Sequence, residues 1–232
     1  MLKGELLGIG WLTAAGTGRG RDAAEFALVP GELSELRRQL AFTEPDRRFG
    51  RLDRFSRLGV LAMALALQDA GLDRWEQKRR VGLFAATRFG SLGTDSDYFA
   101  TVLPEQGRLA SPNLFAYTLA NTFLGEAAIR FGLTGPGVAI NEGGNAPLES
   151  LVAALEGLVW DGLEASVAGF CDLPPRGSNE PPGAAFLVVG PDRPGKNMKE
   201  IKVLPDRSVE LAGVPVSGWP ELVAAAVRLQ RT

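Results

Sequence analysis

Histidine is absent from all 232 residues. That excludes Cys–His and Ser–His–Asp catalysis by these residues alone, since imidazole is the usual proton carrier near neutral pH. Cysteine occurs once, at Cys171. Neither an internal disulfide nor a multi-cysteine metal site follows from one thiol, and a zinc site would need carboxylates alone. No metal and no cofactor is therefore expected. No apolar run approaches the roughly 18 residues that a membrane-crossing helix needs. Met1-Leu2-Lys3-Gly4-Glu5 meets charge too soon for a signal peptide, so a soluble, cytoplasmic protein is expected. Charge of one sign is also lacking: a formal net charge of −2 gives no basis for binding nucleic acid or an anionic membrane. Arginines gather at Arg37, Arg38, Arg47, Arg48, Arg51, Arg54 and Arg57, but Glu44, Asp46 and Asp53 interrupt them. This reads as a solvated surface beside a helix, with docking of an acidic partner as the alternative.

What is present alternates strand and helix signals, which argues for a layered α/β fold. Residues 5–12 read as a buried strand that opens onto a glycine-rich loop over 14–20. Gly8-x-Gly10 hints at a dinucleotide loop, but the third glycine of that fingerprint falls at Thr13, so nucleotide binding is not expected. The clearest helix spans 52–70, with Asp53 as its cap, an apolar face from Phe55 to Leu67, and Gly71 as its stop. Its small residues Gly59, Ala62, Ala64 and Ala66 imply close contact with a sheet. Strands are predicted at 81–86, 138–140, 165–170 and 186–189, and helices at 94–103, 116–131 and 148–160. Pro147 suits the first turn of the last of these. A Pro-rich loop covers 173–183. The tail predicts a hairpin from 201–204 and 208–211 and a helix over 220–229.

Several stretches together carry a family resemblance over about 5–190. Residues 49–72 end in Ala66-Leu67-Gln68-Asp69-Ala70-Gly71-Leu72. Arg80-Val81-Gly82 leads to Gly90-Ser91-Leu92-Gly93. Ser111-Pro112, Asn121, Gly125, Phe131-Gly132-Leu133 and Gly135-Pro136 follow in order, and Ala168-Gly169-Phe170-Cys171-Asp172 stands where the family writes A-G-G-x-E. In these residues the chain resembles the N-terminal half of β-ketoacyl synthases, the thiolase-fold condensing enzymes. The resemblance implies a truncated thiolase-like fold: one mixed five-stranded sheet with helices on its faces, plus a short C-terminal hairpin and helix. It implies a domain over 1–190, with 191–232 appended to that domain.

The same resemblance places the family's nucleophile elbow, T-A-C-x-S, on Glu142-Gly143-Gly144-Asn145-Ala146. Gly144 then holds the catalytic cysteine position, and a glycine cannot be acylated. The family's other catalytic residues lie in a C-terminal half that has no counterpart in these residues. No catalytic residue is therefore expected. Cys171 is expected to be a buried structural thiol. Glu142 either stands in the vacated elbow as the polar replacement that chain-length factors carry, as the resemblance implies, or caps the following helix. Pairing of strands across a two-fold axis, as in the family, implies an interface at Val138, Ala139, Ile140 and Asn141, with Tyr117 and Phe123 beside it. Phe89 falls at a gate, and Leu114, Phe115 and Leu119 fall along an acyl tunnel.

The function implied is that of a chain-length-factor-like, non-catalytic subunit. It would pair with an active β-ketoacyl synthase of fatty-acid, polyketide or aryl polyene synthesis, and a carrier protein is a possible further partner. Two alternatives stand beside it: a homodimeric scaffold or acyl-binding module, and an acyl-thioester enzyme that uses Glu142 as its base.

Overall fold

The longest strand, β1 (Leu2–Thr13), turns back through Ala14-Ala15 into β2 (Gly16–Arg19). The glycine-rich stretch expected as a loop thus forms the second half of a hairpin. The structure is a computed structural model and describes residues 1–22, 24–142, 148–192 and 199–231. Gly144 and Pro147, singled out in the sequence, lie outside the described residues.

Five strands make the mixed sheet that the sequence predicts. They are β1, β3 (Val81–Thr87), β4 (Gly137–Asn141), β5 (Ala165–Asp172) and β6 (Gly183–Pro191), in the spatial order β4-β3-β5-β6-β1. β3 runs parallel to β4 and β5, while β6 runs antiparallel to β5 and β1. The inner strands β3, β5 and β6 are near-continuous apolar runs because helices cover both of their faces. The tail forms the expected hairpin, β7 with β8, and that hairpin also joins the sheet. β7 (Glu200–Val203) pairs with β1, and β8 (Val209–Leu211) and β9 (Val214–Val216) follow it, so that with β2 beside β1 the sheet has nine strands among the described residues.

Alternation along the strands divides the core in two. Val81, Leu83, Val167 and Phe186 face α1 (Arg54–Ala70) and α4 (Thr122–Phe131). Phe84, Ala86, Phe170 and Leu187 face α5 (Glu149–Trp160) and α6 (Trp219–Gln230).

The α1 boundaries follow its capping chemistry. Asp53 Oδ1 accepts the Ser56 amide at 2.9 Å, and Gly71 ends the helix at φ 71° with its amide on the last-turn carbonyls. The glycines of β1 find their explanation here. A Cβ at Gly10 would stand 2.2 Å from Ala66 N, and one at Gly8 2.5 Å from Ala70 N. Gly8-x-Gly10 therefore lets α1 lie on the strand backbone and cradles no phosphate.

The expected helix over 116–131 is shorter and starts later. α2 (Leu92–Val102) is followed by the single turn α3 (Pro112–Phe115), and α4 begins only at Thr122. Between α3 and α4 the chain is held by a side chain: Ser91 Oγ donates to the Thr118 carbonyl at 2.7 Å. That contact is long-range, which is why the helical spacing of Tyr117, Leu119 and Phe123 misreads it.

Candidate functional site

The parallel strands β3, β4 and β5 end together, and the residues that follow them meet there. β4 brings Glu142 beside β3, with the Glu142 amide donating to the Thr87 carbonyl at 3.1 Å. The Glu142 carboxylate turns toward α5. Oε1 accepts the Ser150 amide at 2.7 Å, and Oε2 accepts the Leu148 amide at 3.3 Å and the Trp219 indole N–H at 3.1 Å. A negative charge there satisfies amides that an α-helix leaves free at its start, and it complements the helix dipole. Glu142 is a cap, one of the two roles that the sequence leaves open. Its third donor, Trp219, comes from the tail and could not be foreseen from local sequence.

β5 ends at Asp172. Its Oδ1 accepts the Thr87 hydroxyl at 3.0 Å, the Arg88 amide at 2.7 Å and the Phe89 amide at 3.1 Å. Burial pushes the Asp172 carboxyl above its usual range. The Phe89 and Arg88 amides, the Thr87 hydroxyl and the Arg88 charge pull it back in part. Arg88 crosses to Glu180 at 2.8 Å and lies 5.4 Å from the centre of the Phe89 ring. Between the two carboxylates lies a cavity of about 150 Å³, walled by Leu28, Ala86, Phe170 and Trp219. Trp219 also packs on Phe170, with ring centres 6.3 Å apart. Among the described residues, the strand ends are thus lined by this chain's own side chains, which leave a small cavity.

Cys171 sits next to Asp172 but points through the sheet to the α1 side, where it is fully buried. Burial pushes its thiol well above the ordinary value, and Asp172 and Asp53 add to this. It is a core residue, as expected, and does not line the cavity. No cluster of potential metal ligands occurs among the described residues. No helix among them is long and apolar enough to cross a membrane.

The expected tunnel and interface residues separate into two groups. Phe123 is buried against Phe55, Phe186 and Gly59, and Tyr117 is also buried. Phe123 on α4 and Tyr117 in the turn before it both pack into this chain's own core, which corrects the expectation that both lie at an interface. Phe115 and Leu119 are instead exposed, at 61% and 65%, while Phe89 and Leu114 are half-buried. Leu92, Phe99, Leu103 and Leu109 extend this exposed apolar ridge across α2 and the turns after it. β4 pairs only with β3 and closes one end of the sheet, so its outer edge has no strand partner among the described residues. Val138 and Asn141 are exposed there, and Ala139 and Ile140 half-buried. The arginine cluster is partly tied down: Arg48 pairs with Glu126, and Arg57 donates to the Gly50 carbonyl.

Residues 34–146 match the model of the β-ketoacyl synthase N-terminal domain. The chain is 29% identical over 120 residues to 3-oxoacyl-[acyl-carrier-protein] synthase 2 of Vibrio harveyi, and 28% identical to that of Vibrio cholerae. Each match covers 51% of this chain and 29% of the relative, so the chain matches less than a third of the length of these relatives. Among solved structures, the ishigamide ketosynthase/chain length factor superposes with a TM-score of 0.61 at 16% identity, over 82% of this chain and 58% of that one. The type II polyketide ketosynthase AntDE:AntF, in complex with its acyl-carrier protein, gives 0.67 at 16% identity over 87% and 67%. The ketosynthase ApeO with its chain length factor ApeC from Xenorhabdus doucetiae gives 0.57 at 16% identity over 84% and 81%. At these identities the structural likeness is one of fold.

Proposed function

Because residues 34–146 match the model of the β-ketoacyl synthase N-terminal domain, we propose that this chain is a non-catalytic subunit of chain-length-factor type. It pairs with an active β-ketoacyl synthase and shapes the acyl tunnel of that partner. The observation that carries the reading is the make-up of the strand-end site, whose described lining holds no catalytic nucleophile or histidine. Two residues before the position where the family resemblance puts a nucleophile, Glu142 caps α5 and accepts the Trp219 indole, and no histidine occurs anywhere in 232 residues. Gly144 at the nucleophile position points the same way.

Pairing is supported by the unpartnered edge of β4 and by the apolar ridge of Phe99, Leu103, Phe115 and Leu119. Soluble proteins rarely leave a strand edge uncovered together with several large apolar side chains. In the proposed complex Phe89 is the gate, Leu114, Phe115 and Leu119 border the tunnel, and Val138–Asn141 pair with the partner strand. A carrier protein is a further proposed partner. We also propose that the tail from residue 191 folds with the body as one domain.

The reading is tested by co-expressing a tagged chain with the ketosynthase encoded nearest to it, then purifying by the tag and measuring mass by light scattering. A one-to-one heterodimer is the expected result. A homodimer or monomer that ignores the ketosynthase would overturn it and favour the scaffold or acyl-binding reading. One observation keeps that second reading in view: β4 (Gly137–Asn141) carries no charged residue that would oppose pairing with its own copy. The Glu142-base reading has no such support, since both Glu142 oxygens are engaged by amides and an indole.

A further inference from the structure

Asp172 uses its two oxygens unequally. Oδ1 takes three donors, all from the turn that leaves β3, while no described group donates to Oδ2. Thr87 passes the hold one residue further, because its hydroxyl donates to Asp172 and accepts the Gly90 amide at 2.8 Å. On the outer side, Arg88 is tied to Glu180 in the loop after β5. The backbone that presents Phe89 is therefore fastened to the neighbouring strand β5 and the loop behind it.

We propose that Asp172 is a positioning residue, whose Oδ1 fixes the Thr87–Gly90 turn and so sets where Phe89 stands. The hold on the backbone is independent of any partner. Only its consequence for a gate rests on the function proposed above.

The hold depends on the charge of the carboxylate. Charge-assisted hydrogen bonds are about twice as strong as neutral ones. Burial raises the Asp172 carboxyl and the three donors lower it. A turn that lets go while Asp172 stays covered loses the lowering part, so the released state takes up a proton more readily. Release is accordingly favoured as pH falls. The titratable and charged groups around this carboxylate are Arg88 and its partner Glu180, Glu142 across the cavity, and, on the α1 side of the sheet, Cys171 and Asp53.

The test is amide hydrogen exchange followed by NMR on the full chain from about pH 7 down through the ordinary carboxylate range to about pH 3, in wild type, Asp172→Asn and Asp172→Ala. In wild type, protection of the Arg88 and Phe89 amides is expected to fall with pH. In Asp172→Asn it should be roughly ten- to hundredfold lower at neutral pH, the scale of losing hydrogen bonds to a charged acceptor, and flat with pH. Unchanged protection in Asp172→Asn, or the same pH dependence as wild type, would overturn the proposal. Should Asp172→Ala fail to fold, Thr87→Val gives a second readout. It should lower protection at Gly90 and leave the Arg88 and Phe89 amides protected, and loss at all three would overturn the assignment to Asp172. Product length in the purified heterodimer separates the two claims. If protection responds to Asp172→Asn and product length does not, the gate role of Phe89 fails and the positioning role stands.

Discussion

At the scale of single residues, two side-chain decisions matter most, and one of them is the absence of a side chain. Gly10 faces α1 at a distance that no Cβ tolerates, because the nearest atoms are helix backbone and cannot rotate away. Gly10→Ala is expected to destabilise the chain by several kcal/mol, within the range of severe overpacking, and urea denaturation would measure it. Ala at Gly125, where open space surrounds the added carbon, is the control that should change little. Glu142 is legible in sequence as a cap only because a helix follows it. Glu142→Ala should cost about 1–2 kcal/mol through the lost cap. It should also alter the fluorescence of Trp219, whose indole loses its acceptor. A stability loss with unchanged fluorescence would show that Trp219 is held by packing on Phe170 alone.

At the scale of elements, α1 was readable end to end, because each of its signals is local. Its cap reaches three residues ahead and its stop is the next residue after the last turn. α3 and α4 were not, because Ser91 holds the intervening turn from 27 residues away. β4 shows the same limit for a surface. Its apolar sequence reads as a strand but does not say that one edge is left open. Val138 is 39% exposed on that strand. Val138→Lys is therefore expected to change stability by no more than about 0.5 kcal/mol while abolishing association with a ketosynthase, through the charge it sets on the edge. Thermal melting and light scattering on the same sample check the two halves. Intact heterodimer formation would remove β4 from the interface.

At the scale of the whole molecule, the tail joins a sheet whose other strands lie earlier in the sequence. β7 pairs along Leu2–Glu5 of β1, and Glu200 on it is held by Lys202 and Lys3, one from its own strand and one from β1. Those two lysines, Lys202 first, keep the Glu200 carboxyl below its usual range. A carboxylate lowered in the folded state contributes stability that is complete above its unfolded value and is lost as pH falls through the folded one. Denaturation midpoints should therefore drop between about pH 5 and pH 3. The drop should be smaller in Glu200→Gln, and an identical drop in both would show that the β7–β1 junction takes no part in acid sensitivity. If body and tail fold as one domain, Trp219 fluorescence and far-UV circular dichroism should report a single transition at every pH.

The missing histidines, the single cysteine, the order of strands and helices, and the capping of α1 were all decided by the sequence, because each depends on composition or on neighbours within a few residues. The tertiary structure decided what depends on distant contacts: that Gly8 and Gly10 serve helix packing, that Phe123 faces inward while Phe115 and Leu119 face outward, and that Trp219 closes over Glu142. Helical periodicity marks a side chain as apolar without saying whether its own chain or another covers it. Only the placement of residues 77 apart in sequence, as with Glu142 and Trp219, settles which surfaces this chain fills for itself and which it leaves open.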